Sequence, residues 1–103
     1  MNNNKIKTKR EIMKILKRRE GELTHEFKVK EIGLFGSYIR GEQNKKSDID
    51  ILVEFTEQGI TFDNYMNLKF YLEELFSAKV DLVLKDSIKK TLKPYILQEV
   101  VYV

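Results

Sequence analysis

Apolar residues near the start of the chain recur at helical spacing. Ile12, Met13, Ile15 and Leu16 stand among charges, which predicts one amphipathic helix over 5–20 with Gly21 as its stop. Residues 28–35, KVKEIGLF, carry Val29, Ile32, Leu34 and Phe35 and predict a first strand, with imperfect alternation. A short helix is expected over 37–42, followed by a polar loop, QNKKS, at 43–47. Residues 48–55, DIDILVEF, form the clearest strand in the chain. Over 61–77, Tyr65, Leu68, Leu72, Leu75 and Phe76 fall three to four apart and predict a long helix capped by Thr61. A third strand is expected at 79–84, KVDLVL. A helix over 88–98 should be interrupted near Pro94, because a proline deep in a helix forfeits a hydrogen bond. The closing VVYV predicts a final short strand or an apolar plug.

Helices alternating with strands predict a small α/β fold, with a mixed sheet flanked by helices. The link between the first two strands holds only a short helix, so that pair need not be parallel. The length of 103 residues suits a single domain over 1–103 with one modest core. At 42% hydrophobic and 34% charged, the composition is too apolar for a disordered chain.

Charge is unevenly placed. Residues 1–30 carry ten Lys/Arg against four Asp/Glu, whereas residues 31–103 carry nine against twelve. The basic first helix is either a solvated face or a surface that approaches RNA, nucleotide phosphates or an acidic partner. With no cysteine, disulfides, thiolate nucleophiles and Cys-ligated zinc are excluded, and a reducing cytoplasm suits the chain. The first residues lack the apolar core of a secretory signal, and no apolar run approaches the roughly 20 residues that span a bilayer. The expected location is therefore cytoplasmic, without a membrane partner.

The chemistry concentrates in GLFGSYIRGEQNKKSDIDILVEF, residues 33–55. On a strand, Asp48 and Asp50 point to one face, about 6.6–6.8 Å apart along the axis, while Ile49, Ile51, Val53 and Phe55 point to the core. Two like charges on one face are costly unless a cation lies between them, and Mg²⁺ favours such hard oxygen ligands beside substrate phosphates. An exposed acidic face on an edge strand is the plainer reading of Asp-x-Asp alone. Gly36 and Ser37 shift the balance. They follow a strand, and glycine lets a phosphate approach backbone amides while the serine hydroxyl donates to it. Arg40, one helical turn on, can pair with phosphate oxygens, and Gly41 permits a tight exit. Ser47 is placed to cap or orient the loop before Asp48. Asp81, among apolar residues in the third strand, faces the same site if its strand lies beside the second. There it would hold a metal or accept the proton of an attacking hydroxyl. His25 lies in a polar connector and reads as a surface residue. Tyr65, Tyr71, Tyr95 and Tyr102 read first as packing or interface residues, with nucleobase stacking as an alternative, and Lys89, Lys90 and Lys93 as a solvated face.

Gly-Ser, ten residues, then Asp-x-Asp resembles the signature of the nucleotidyltransferase superfamily. The RG after GSYI, the ending SDIDILVEF and the closing LKPYILQEVVYV are similar to the minimal nucleotidyltransferases, antitoxins paired with HEPN toxins. The likeness runs from about residue 25 to 103. It implies a polymerase-β-like core and transfer of AMP from ATP with loss of pyrophosphate. It further implies that Gly36 and Ser37 hold the triphosphate, that Asp48 and Asp50 ligate Mg²⁺, two ions in all, and that Asp81 is the third carboxylate. The implied acceptor is a tyrosine hydroxyl of the HEPN RNase, which the modification silences. Larger members carry further domains, so a chain of this size is expected to use a shallow surface or its partner to recognise base and acceptor. A rival expectation is an antitoxin that works by occlusion alone; another is a transferase or adaptor acting on RNA, which the modest net charge disfavours.

Overall fold

The structure, a computed structural model, describes residues 7–103. Helix α1, Lys9–Arg18, opens on a capping box. The Glu11 N–H donates to Thr8 Oγ1 at 3.2 Å and the Thr8 N–H donates to Glu11 Oε1 at 2.9 Å. Residues 5 and 6 of the expected helix lie outside the described residues. The helix does not run on to Gly21. It breaks at Arg19 (φ −98°, ψ 8°), and α2, Glu20–Glu26, contains Gly21 and His25. Gly21 has open space where a Cβ would stand and is not a stop. The break re-aims the chain so that Leu23 joins Ile12 and Leu16 in the core. His25 is exposed, as expected, but on a helix and not in a connector.

Four strands follow: β1 Val29–Phe35, β2 Ile49–Phe55, β3 Val80–Leu84 and β4 Val101–Tyr102, in the order β3-β2-β1-β4. β1 and β4 are antiparallel, as are β1 and β2, whereas β2 and β3 run parallel. This is the mixed sheet that the short β1–β2 link requires. That link holds helix α3, Ser37–Arg40, and the polar loop; the parallel pair is joined through the longer α4, Phe62–Phe76. One face of the sheet is covered by α1, α2 and α4. Ile49, Ile51 and Val53 of β2 are fully buried there with Leu68, Leu72 and Phe76 of α4. At about 25 cal/mol per Å² this layer supplies the main drive to fold.

Thr61 caps α4, its side chain accepting the Asn64 N–H at 3.1 Å. Asn64 in turn joins two loops. Its Nδ2 donates to the carbonyls of Phe27 at 2.8 Å and Gly59 at 2.9 Å. Asn64→Ala should leave both acceptors unpaired and cost about 1–3 kcal/mol, read from the midpoint of urea denaturation.

The C-terminal region departs from expectation in one respect. No helix forms over 88–92; α5 is Lys93–Glu99, with Pro94 in its first turn. Proline starts this helix instead of interrupting it, because the first-turn N–H has no partner within the helix. The tail resolves as the strand β4, the Val103 N–H donating to the Ile32 carbonyl at 3.0 Å.

Candidate active site

β2 is central in the sheet, between β1 and β3, so the acidic pair does not lie on an edge strand. In the parallel β2–β3 pair Asp50 stands opposite Asp81, and in the antiparallel β1–β2 pair it stands opposite Phe35, the residue before Gly36. Three segments distant in sequence therefore meet at one sheet end. Asp48 is exposed at the approach to β2 and Asp81 is exposed on β3, whereas Asp50 is half-buried.

Gly36 is fitted to Asp50. Its backbone (φ 79°, ψ −151°) lies where side chains are rarely tolerated, and a Cβ there would overlap Asp50 Oδ2 and stand 2.8 Å from its Cγ. Burial, followed by the charges of Asp81 and Asp48, pushes the Asp50 carboxyl up to about 6, and Arg40 opposes the rise.

A cleft of about 330 Å³ opens beside this carboxylate, lined by Phe35, Gly36, Arg40, Asp50, Tyr95, Ile96 and Glu99. Glu99 closes the α5 side. The Gly36 N–H donates to Glu99 Oε2 at 2.9 Å, and Arg40 Nη1 donates to Glu99 Oε1 at 2.7 Å. Arg40 Nε donates to Glu42 at 2.9 Å, and these two carboxylates raise the proton affinity of the guanidinium further. Ser37, half-buried, begins α3 immediately after Gly36. The hydroxyl of Ser47 accepts the Asn44 N–H at 2.9 Å within the turn before Asp48, so it orders that loop and does not line the cleft.

Ile96 and Glu99 line the cleft without having been singled out by motif spacing, and Tyr95, read first as a packing or interface residue, lines it as well; the available signal for Glu99 is an isolated acid in the apolar tail ILQEVVYV. Tyr65 and Tyr71 are structural: the first donates to the Leu82 carbonyl at 2.6 Å, the second to Glu22 at 2.8 Å. Tyr102 lies on β4 with the Lys85 ammonium 5.9 Å from its ring centroid. Lys89 and Lys90 are exposed and Lys93 partly so, while the basic face of α1 (Lys9, Arg10, Lys14, Lys17, Arg18) lies in water. A larger, apolar cavity of about 510 Å³, lined by Phe55, Ile60, Phe62, Tyr65 and Leu82 among others, contains none of the carboxylates. The smaller cleft is the candidate site because it joins the Asp50 carboxylate, the Arg40 guanidinium and Gly36, while Ser37, Asp48 and Asp81 stand outside its lining.

Among the described residues no three acidic or histidine side chains are gathered closely enough to cage a metal by themselves. The set nevertheless fits Mg²⁺, which is commonly held by one or two carboxylates with waters and substrate phosphates completing the shell. Burial first, and then the charges of Asp81 and Asp48, raise the proton affinity of Asp50, and a cation beside these carboxylates would lower it again.

Residues 9–103 match the family model for the nucleotidyltransferase domain. The chain belongs to the nucleotidyltransferase family. The nucleotidyltransferase is 47% identical over 96 residues to the protein adenylyltransferase MntA of Thermococcus cleftensis, covering 93% of this chain and 96% of the relative. Among solved structures, it matches a candidate minimal nucleotidyltransferase with a TM-score of 0.72 at 33% identity, over 87% of this chain and 93% of that one. A toxin–antitoxin crystal structure with AMP-PNP matches with a TM-score of 0.67 at 28% identity, over 82% of this chain and 69% of that one. The mixed sheet of this nucleotidyltransferase is thus the polymerase-β-like core that its motif implied. Among the described residues no helix is long and apolar enough to cross a membrane.

Proposed function

We propose that this nucleotidyltransferase transfers AMP from ATP to a tyrosine hydroxyl of a HEPN-type toxin and so acts as its antitoxin. The observation that carries the chemistry is the register of Asp50 with Asp81 beside Gly36. The choice of acceptor is supported by the relative named protein adenylyltransferase and by the toxin–antitoxin neighbour with AMP-PNP.

Mg²⁺ held by Asp48, Asp50 and Asp81 would neutralise charge on the attacking and leaving oxygens. The Gly36 N–H, the Ser37 hydroxyl and Arg40 bind the polyphosphate from the β1–α3 side. The acceptor oxygen forms its bond to the α-phosphorus as the bond to the bridging oxygen breaks, and pyrophosphate departs. The hydroxyl proton passes to Asp81, which is exposed, and from there to solvent.

The test incubates the protein with ATP labelled at the α-phosphate, Mg²⁺ and the purified partner toxin. Label on the toxin that disappears with EDTA supports transfer, and mass spectrometry of the labelled peptide identifies the tyrosine. Toxin neutralised without label, also by Asp48→Asn/Asp50→Asn, would replace catalysis by occlusion. Label on RNA instead of protein would replace the acceptor.

A further inference from the structure

The polyphosphate seat proposed above already holds an anion, and that anion belongs to the chain. We infer that Glu99 is a latch: its carboxylate occupies the positions that phosphate oxygens take, and nucleotide binds only as Glu99 leaves. The inference rests on the nucleotide reading of the cleft.

Three observations carry it. First, one carboxylate bridges two donors of the cleft that Asp50 lines, taking the Gly36 N–H with Oε2 and the Arg40 guanidinium with Oε1. Both are donors that suit phosphate, and each bond is charge-assisted and strong. A phosphate oxygen and Glu99 cannot share the Gly36 N–H, which has one direction to give, and they compete for the same side of the Arg40 guanidinium. Second, Glu99 adds negative charge beside Asp50, where Asp48 and Asp81 already act. A polyphosphate arriving there would meet four carboxylates with Glu99 in place and three without it. Third, the element bearing the latch is lightly held. No α5 side chain is fully buried, Tyr95 is 72% exposed, and the strand that follows has two residues. Such a segment can swing at small cost, whereas Gly36 is buried directly after β1 and Asp50 sits on the central strand β2.

The latch gives Arg40 a partner in both states, Glu99 before nucleotide and phosphate after it, so the guanidinium is never left to rearrange in water. It also lowers apparent affinity, since a seat that is open only part of the time binds in proportion to that fraction.

The experiment measures binding of ATP, with Mg²⁺, and of adenosine by calorimetry to the wild type and to Glu99→Gln and Glu99→Asp. Glutamine keeps the shape and loses the charge; aspartate keeps the charge and falls short of the donors. Both variants should bind ATP about tenfold more tightly, with adenosine affinity unchanged, because only phosphate competes with the carboxylate. Equal or weaker ATP binding by both folded variants, with ATP bound by the wild type, overturns the latch and leaves the nucleotide reading standing. Absence of ATP binding by all three overturns both. Thermal denaturation of each variant establishes folding; should Glu99→Gln fail to fold, Glu99→Asp decides.

Discussion

Asp50→Asn should make the metal-free protein more stable at pH 8 while lowering nucleotidyl transfer by about 10²–10³-fold or more. The two effects have one cause. The folded Asp50 titrates at about 6 and the ordinary value is 3.8, so folding places this carboxylate where its charge is unwelcome. Between those values the folded chain keeps a proton that the unfolded chain has released. The stability linked to this proton is fully present below about pH 4, falls as pH rises through the window, and is lost above about 6. The whole shift would correspond to about 3 kcal/mol, and solvent access to a half-buried group reduces it to about 1–2 kcal/mol. Asparagine removes the charge and therefore the loss. Urea denaturation at pH 5 and pH 8 in EDTA checks it: the wild type should weaken across the interval, and the variant should be flatter and stronger at pH 8. A variant weaker than wild type at pH 8 would show that the carboxylate is stabilised by its surroundings, and the case for a missing cation would fail. Added Mg²⁺ should stabilise the wild type at pH 8 and leave the variant nearly unchanged.

Gly36→Ala is the second large effect. Its backbone lies in a region open essentially to glycine, which costs about 1–3 kcal/mol for any other residue. The added methyl group also overlaps the Asp50 carboxylate, and displacing that group costs about 1–3 kcal/mol more. Movement of about 1 Å at a reacting centre is enough to lower transfer about 10²-fold. Gly41→Ala provides the comparison. Gly41 also has positive φ, at 73°, yet no atom stands within 4 Å of a Cβ placed there. It should lose only about 1–2 kcal/mol of stability and retain most activity. Thermal denaturation and initial transfer rates of both variants are the measurements. Equal activity of the two would mean that the Gly36–Asp50 contact does not position the reacting groups.

Much of this site is readable before folding because its information is local. The alternation of Ile49, Ile51 and Val53 around Asp50 fixes a strand and its faces, and the spacing from Gly36 to Asp50 fits a turn, a short helix and a return strand. Asp81 is readable as a charge in an apolar strand, but its register with Asp50 depends on how α4 packs, which no single segment encodes. Glu99 is illegible for a similar reason: it reaches Gly36 across 63 positions, through contacts made only once the sheet has formed. The break at Arg19 is set by the demand that Leu23 reach the core, a demand of packing that local propensity does not express. Pro94 was ambiguous in kind, since proline both ends helices and begins them, and the choice depends on where the first turn lies.

The position of β3 has a consequence for how the protein survives at high concentration. It is the outermost strand on its side of the sheet, and although Tyr65 donates to its Leu82 carbonyl and its Val80 N–H donates to Glu73, the rest of the edge offers a template to another extended chain. Asp81 presents an exposed charge near the beginning of that strand, and like charges on two molecules repel before their backbones can pair. One carboxylate would thus serve as chemical group and as a guard against aggregation, so neutralising it should trade solubility along with turnover.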